Sequence, residues 1–346
     1  MIKKTAVFFI ILIFPLFYGC AGIQKAEIIE YKGPSIVWPS PPEKSRIKYL
    51  YSIWNLEAEG ETFGDKVRAF WRGEGELDDI TMSPTLVRPF GIYVDDKRLY
   101  ITDTAALRVT VIDLKTKEVL NIGREDDQGR LEYPIAAVSD KSGNIYVSDV
   151  SRNLVLIYDE KGNYKNKLEG FKRPTGIGIN QQKGLLYIID TVENVVHVYD
   201  TKGTLQHEFG GNGESEGQFN YPTHIHVDEN GFVYIVDSMN ARVQIFDEQG
   251  NFISAFGSRS NAAGDFSKPK GIAVDTEGHL YVVDAEFDNV QIFDRKGQVL
   301  TFFGEAGSDA GAFWLPSGIA IDRLNRVYVA DTHNQRIQVF QFLGGD

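Results

Sequence analysis

Short runs of Val, Ile, Phe and Tyr, each about five residues long, follow one another between polar turns that carry glycine, the pattern of strands rather than helices. The stretch Pro222 to Gly257 shows it most clearly, with four apolar runs and two Asp-x-x-Gly turns, Asp228 to Gly231 and Asp247 to Gly250. The turns return as Asp275 to Gly278 and Asp294 to Gly297. Glycine there supplies the left-handed residue that ends a type I turn in a short hairpin loop. The whole phrase, Pro-x-Gly-Ile-x-Val-Asp, a glycine turn, an apolar residue with Tyr, then Asp, repeats six times. Copies start at Pro89, Pro134, Pro174, Pro222, Pro269 and Pro316, at spacings of 45, 40, 48, 47 and 47 residues. The matching aspartates are Asp103, Asp149, Asp190, Asp237, Asp284 and Asp331.

A fixed period of this length marks a repeated supersecondary unit. Four antiparallel strands per unit, repeated radially, predict an all-β chain: a six-bladed β-propeller of four-stranded blades. The last copy stops at Arg336 to Gln341, where a blade has only its third strand. The alternating segment Arg46 to Ile53 is expected to supply the missing edge, because an open propeller would leave two unpaired edges.

The motifs resemble NHL repeats. Asp-Thr/Ser-x-Asn-x-Arg-Ile/Val-Gln-x-Phe stands here as Asp237 to Phe246 and again as Asp331 to Phe340. The Gly-x-Phe lead-in appears at Gly217 to Phe219, Gly264 to Phe266 and Gly311 to Phe313. The resemblance covers residues 85 to 341 and implies a propeller that binds through its loops.

Residues 1–19 are expected to be a lipoprotein signal: Lys3 and Lys4, an apolar stretch from Ala6 to Phe17, then a small-residue site before Cys20. Cys20 is the one cysteine, placed where a lipobox carries its acylated residue. The expected address is therefore the bacterial cell envelope, as an outer-membrane lipoprotein facing the periplasm or the cell surface. Residues 20–45, with Pro34, Pro39, Pro41 and Pro42, read as a stiff tether, and residues 46–346 as the propeller, with its closing strand at 46–53. Phe63, Val67, Phe70 and Trp71 share one helical face and predict a short helix over one end of the propeller.

The net charge of −12 becomes more negative once residues 1–19 are removed, since 34 basic then stand against 48 acidic residues. That argues against a nucleic-acid partner, which needs Lys and Arg clusters to displace phosphate counterions. A monomeric propeller with a protein partner is expected. The resemblance to exported NHL lipoproteins makes a multihaem cytochrome one guess at that partner.

Chemistry is sparse. The positions after the repeat prolines, where related amidoglycolate lyases place zinc histidines, are Phe90, Ile135, Thr175, Thr223, Lys270 and Ser317, and none is a zinc ligand. His224 and His226 point to one side of a strand but form an incomplete ligand set, so no metal and no cofactor are expected. The six aspartates recur in every blade, which argues for turn structure over catalysis. What breaks the repeat is Arg108, Arg242 and Arg336, against Leu154, Val195 and Asn289 in the other blades. These arginines are candidates for a recognition face, together with His224, His226, Lys270 and His333. The reading is a non-catalytic, lipid-anchored binding or assembly scaffold. The alternative is a metal-dependent envelope hydrolase or lactonase with its site in the central channel.

Overall fold

The computed structural model describes residues 26, 28–30, 33–54, 85–124 and 128–344. Five blades are consecutive four-stranded antiparallel sheets spanning residues 89–122, 134–168, 174–210, 222–256 and 269–303. Blade six is built from both ends of the chain. Ile319–Ile321, Arg326–Asp331 and Arg336–Phe342 form its inner three strands, and Ile47–Ile53 forms the fourth. The closing pair is antiparallel and runs from Ile337 opposite Ile53 to Phe342 opposite Ile47. The expected closure by an N-terminal strand is present.

The expected tether departs from its reading over the part that is described. Ile28–Glu30 and Val37–Trp38 both pair with the outer edge of Ile47–Ile53, so this segment caps the closing blade. Trp38 packs its ring 5.9 Å from Phe303 and 5.8 Å from Phe340. The physical reason is twofold: an outermost strand offers unpaired backbone groups, and Trp38 has an aromatic cleft to fill. The signal segment, Cys20 and the helix expected at 63–71 lie outside the described residues. Among the described residues no helix is long and apolar enough to cross a membrane.

The repeat has a direct packing meaning. Its tyrosines, Tyr100, Tyr146, Tyr187, Tyr234, Tyr281 and Tyr328, are buried on the second strand of each blade. Five of them donate their hydroxyl to the aspartate that ends the innermost strand, at 2.9 Å for Asp95 and 3.2 Å for Asp322 in blades one and six. Thus each ring fills the blade core, and in these five the polar tip ties two strands. The lead-in phenylalanines Phe219, Phe266 and Phe313 are fully buried, 5.6–5.7 Å from Phe246, Phe293 and Phe340. Around the axis the innermost strands crowd together. A Cβ on Gly91 would stand 2.3 Å from the Ile135 carbonyl oxygen, and one on Gly318 the same distance from that of Phe90. Only glycine permits that approach of two backbones.

Candidate functional site

In blades one to five the repeat proline pairs with the aspartate ending the second strand, as Pro222 with Asp237 and Pro89 with Asp103. The loops before the prolines and the loops after these aspartates therefore share one face, called here the proline face. The aspartates are structural, as expected. All six are fully buried and accept backbone N–H groups from the incoming loop, such as Val87 and Arg88 at 2.7 and 2.9 Å on Asp103. Most also hold the following turn, as Asp284 does for Glu286.

The arginines do not form a recognition ring. Arg336 is buried, with Nε 2.7 Å from Asp331 Oδ2 and Nη2 donating to the carbonyls of Asp309 and Ala312. Its guanidinium also lies 5.2 Å from the ring of Trp54. Arg242 repeats the arrangement on Asp237, Ser215 and Gln218. Arg108 is fully buried and donates to the Thr85 carbonyl at 2.8 Å. Burial pushes its pKa down to about 10, while the charge of Asp103 opposes that fall. A buried carboxylate needs a paired charge more than a partner needs an exposed arginine. All three guanidiniums are engaged by groups of the protein itself, Arg108 and Arg336 in the interior and Arg242 partly exposed.

The channel runs between the innermost strands of all six blades and holds a cavity of about 870 Å³. Its mouth opens on the face opposite the prolines, where Arg323 of blade six pairs with Asp96 at 3.1 Å and with Glu229 at 3.2 Å. His224 and His226 both line it, as their spacing predicts. His224 occupies the repeat's glycine position, and its ring stands 5.7 Å from Phe90 of blade one. Its Nδ1 lies 3.0 Å from Thr223 Oγ1, while Nε2 is sealed from solvent without a hydrogen-bond partner. Burial pushes His224 down to about 3, helped by the charge of Lys270, and His226 down to about 4. Lys270 is itself lowered by burial and by Lys268. Both histidines are thus neutral at physiological pH. Among the described residues no acidic or further histidine ligand joins them in a group of three.

The proline face carries side chains that the sequence reading passed over. Val192, Tyr221, Met239 and Trp314 are 46, 46, 58 and 55% exposed, with Tyr133 beside the prolines less so. Their loops are held from neighbouring blades: Asn194 of blade three accepts the Tyr221 N–H at 2.8 Å, and Asp288 of blade five accepts that of Leu315 at 2.7 Å. His333 lies on this face as well, its ring 5.4 Å from that of Trp314. It lines a shallow cavity of about 280 Å³ with Val87, Arg88, Thr332 and Gln335. A signal was available in sequence: Tyr133, Tyr221 and Trp314 stand one or two residues before a repeat proline, where an apolar residue has no strand to bury it.

Comparison with known proteins agrees with this geometry. The family model for NHL repeats matches residues 313–340, and a family model described as a 6-bladed beta-propeller matches residues 230–290. The chain is a six-bladed β-propeller with an NHL repeat in its last blade. No curated protein matches the sequence at a significant level. Solved structures with the same fold include an auxiliary nutrient binding protein from Bacteroides thetaiotaomicron, at 16% identity and a TM-score of 0.60, covering 74% of this chain and 69% of that one. Virginiamycin B lyase from Staphylococcus aureus matches at 16% identity and a TM-score of 0.54, covering 74% of this chain and 96% of the lyase. Kuenenia stuttgartiensis hydrazine synthase matches at 14% identity and 0.55, covering 75 and 96%. At such identities the propeller shares a fold with each of them.

Proposed function

We propose that this propeller is a non-catalytic binding scaffold that takes a protein partner on its proline face. The observation that carries the reading is the set of exposed Val192, Tyr221, Met239 and Trp314 on loops fixed by neighbouring blades. Exposed aromatic and Met side chains on a rigid frame lose little entropy on binding and are the residue types that dominate interface energies. The similar fold of a nutrient binding protein supports a binding role, and the excess of acidic residues favours a partner that is not a nucleic acid. The hydrolase alternative has His224 and His226 in a roomy channel, but these two gather no third ligand among the described residues. In this reading Cys20 carries a lipid anchor that holds the propeller at the bacterial outer membrane.

The test is site-specific photo-crosslinking in intact membranes from positions 221 and 314, against positions 302 and 324 on other surfaces. One discrete product confined to positions 221 and 314 supports the scaffold. Products from 302 and 324 alone would sink the assigned face. A Cys20→Ser chain that still sediments with carbonate-washed membranes would remove the anchor from the proposal.

A further inference from the structure

Blade three breaks the repeat at the one place where blades four and six neutralise their buried aspartate. In blade four, Asn240, Arg242 and Gln244 all donate to Asp237 Oδ2, at 2.9, 2.8 and 3.2 Å. In blade six, Asn334, Arg336 and Gln338 do the same for Asp331. The corresponding residues of blade three are Glu193, Val195 and His197. Three donors, one of them cationic, have become a carboxylate, an alkyl group and an imidazole. Asp190 remains fully buried, and among the described residues its donors are the neutral backbone N–H groups of Lys172, Arg173, Val192 and Glu193.

The imidazole is held in a particular way. His197 is 6% exposed, and its Nδ1 lies 2.6 Å from Glu208 Oε1. An ionised carboxylate only accepts, so Nδ1 carries the proton and Nε2 turns towards Asp190 and Glu193. Nε2 is shut off from solvent and has no hydrogen-bond partner among the described residues, and Glu193 Oε2 stands 3.8 Å away, too far for a hydrogen bond. One ligand atom from each of Asp190, Glu193 and His197 lies within 4.8 Å of the other two. Ligands bonded at roughly 2.0–2.2 Å to a tetrahedral ion stand about 3.4 Å apart, so shifts of about an ångström close the set. Glu193, which is partly exposed, can supply those on its own side. Its other oxygen, Oε1, stays with Lys172 Nζ at 2.7 Å.

We infer that Asp190, Glu193 and His197 form a divalent-cation site of the zinc class, with Glu208 as the positioning residue behind His197. One imidazole and two carboxylates suit zinc-like ions, and a carboxylate on the far ring nitrogen is the usual means of aiming a ligating histidine. The remaining coordination positions face the solvent side of Glu193. The site adjoins the exposed Val192 and stiffens that loop when filled.

The experiment is a calorimetric titration of Zn²⁺ into the chelator-stripped mature chain, with a thermal melt at each end point. The expected result is saturable uptake of one ion per chain with a raised Tm, since an ion bound only by the folded state stabilises it. His197→Gln and Glu193→Asn install the residues that blades four and six use, so both variants retain the fold. Each is expected to weaken uptake at least a hundredfold, and Glu208→Gln about ten- to a hundredfold. The His224→Ala/His226→Ala double variant is expected to bind as the parent does. Absence of saturable uptake, or uptake unchanged in the combined His197→Gln/Glu193→Asn chain, overturns the site. Uptake unchanged by Glu208→Gln overturns the positioning role alone.

Discussion

Blades six and three show how one frame carries opposite electrostatic solutions. Both present a fully buried aspartate at the end of the second strand, fixed by the N–H groups of the incoming loop. In blade six burial raises the Asp331 carboxyl above its ordinary value, and the Trp314 N–H and Arg336 guanidinium offset part of that rise. The offsetting cation comes from within the repeat. In blade three the guanidinium is absent and two further carboxylates, Glu193 and Glu208, gather around His197. The backbone plan thus tolerates the loss of its cation, and the position becomes available for other chemistry. Blade six differs again in being assembled from both chain ends, so it bears the closure of the ring.

The largest effect is expected from breaking blade six itself. A chain beginning at residue 85 lacks Ile47–Ile53, leaves Arg336–Phe342 as an open edge and strips Tyr49 from Phe340. Loss of the cooperative thermal transition, or aggregation, is expected. A melt matching that of the full chain would show that closure contributes little. Next comes Arg336→Met, which strands Asp331 and is expected to cost about 3–5 kcal/mol in a denaturant titration. Arg242→Met should cost less because that guanidinium is partly exposed. Val195→Ala, at the matching position of blade three, is expected to cost about 1 kcal/mol or less. Equal losses at all three positions would erase the contrast between the blades.

Binding should respond on a different set of residues. Trp314→Ala and Tyr221→Ala are each expected to weaken partner capture by about 2 kcal/mol or roughly thirtyfold, with the melt unchanged. Capture that survives both substitutions but fails with Leu324→Ala would move the interface to the opposite face.

A further effect appears only on acidification. His224 and His226 titrate far lower folded than the ordinary histidine value of 6.5, so the unfolded chain takes up their protons first. Stability is therefore full above about pH 6.5 and declines as pH falls towards 4. His224→Gly with His226→Ala, which restores residues found in other blades, is expected to flatten that decline and leave the Tm at pH 7.5 nearly unchanged. A parallel decline in parent and variant would locate the acid sensitivity elsewhere.

Much of the fold was legible because the repeat writes the same contacts six times. The Pro-to-Asp phrase, the Tyr of the second strand and the unfinished last blade gave blade number, strand order and the closing segment. The structural reading of the aspartates followed from their recurrence. The arginines were misjudged because a loop position reads as exposed in one dimension. Only the fold shows that Arg336 is folded back onto Asp331 and under Trp54. Trp38 was read as part of a tether because proline content carries no information about the aromatic cleft it meets. His197 drew no attention because its partners Glu193 and Glu208 sit on separate sequence segments of one blade.

The sequence by itself determined what depends on local period: six units of short strands, glycine turns at Asp-x-x-Gly, and glycines where innermost strands must pass close to one another. These follow from strand alternation and backbone sterics, which act over a few residues and repeat with the chain. The tertiary structure decided what depends on neighbours from other parts of the chain: which charges are consumed in burial, which aromatic residues remain on the proline face, and where His197 finds two carboxylates. Burial and electrostatic pairing are properties of three-dimensional proximity, and a propeller brings together in each blade side chains that no spacing in its sequence reveals.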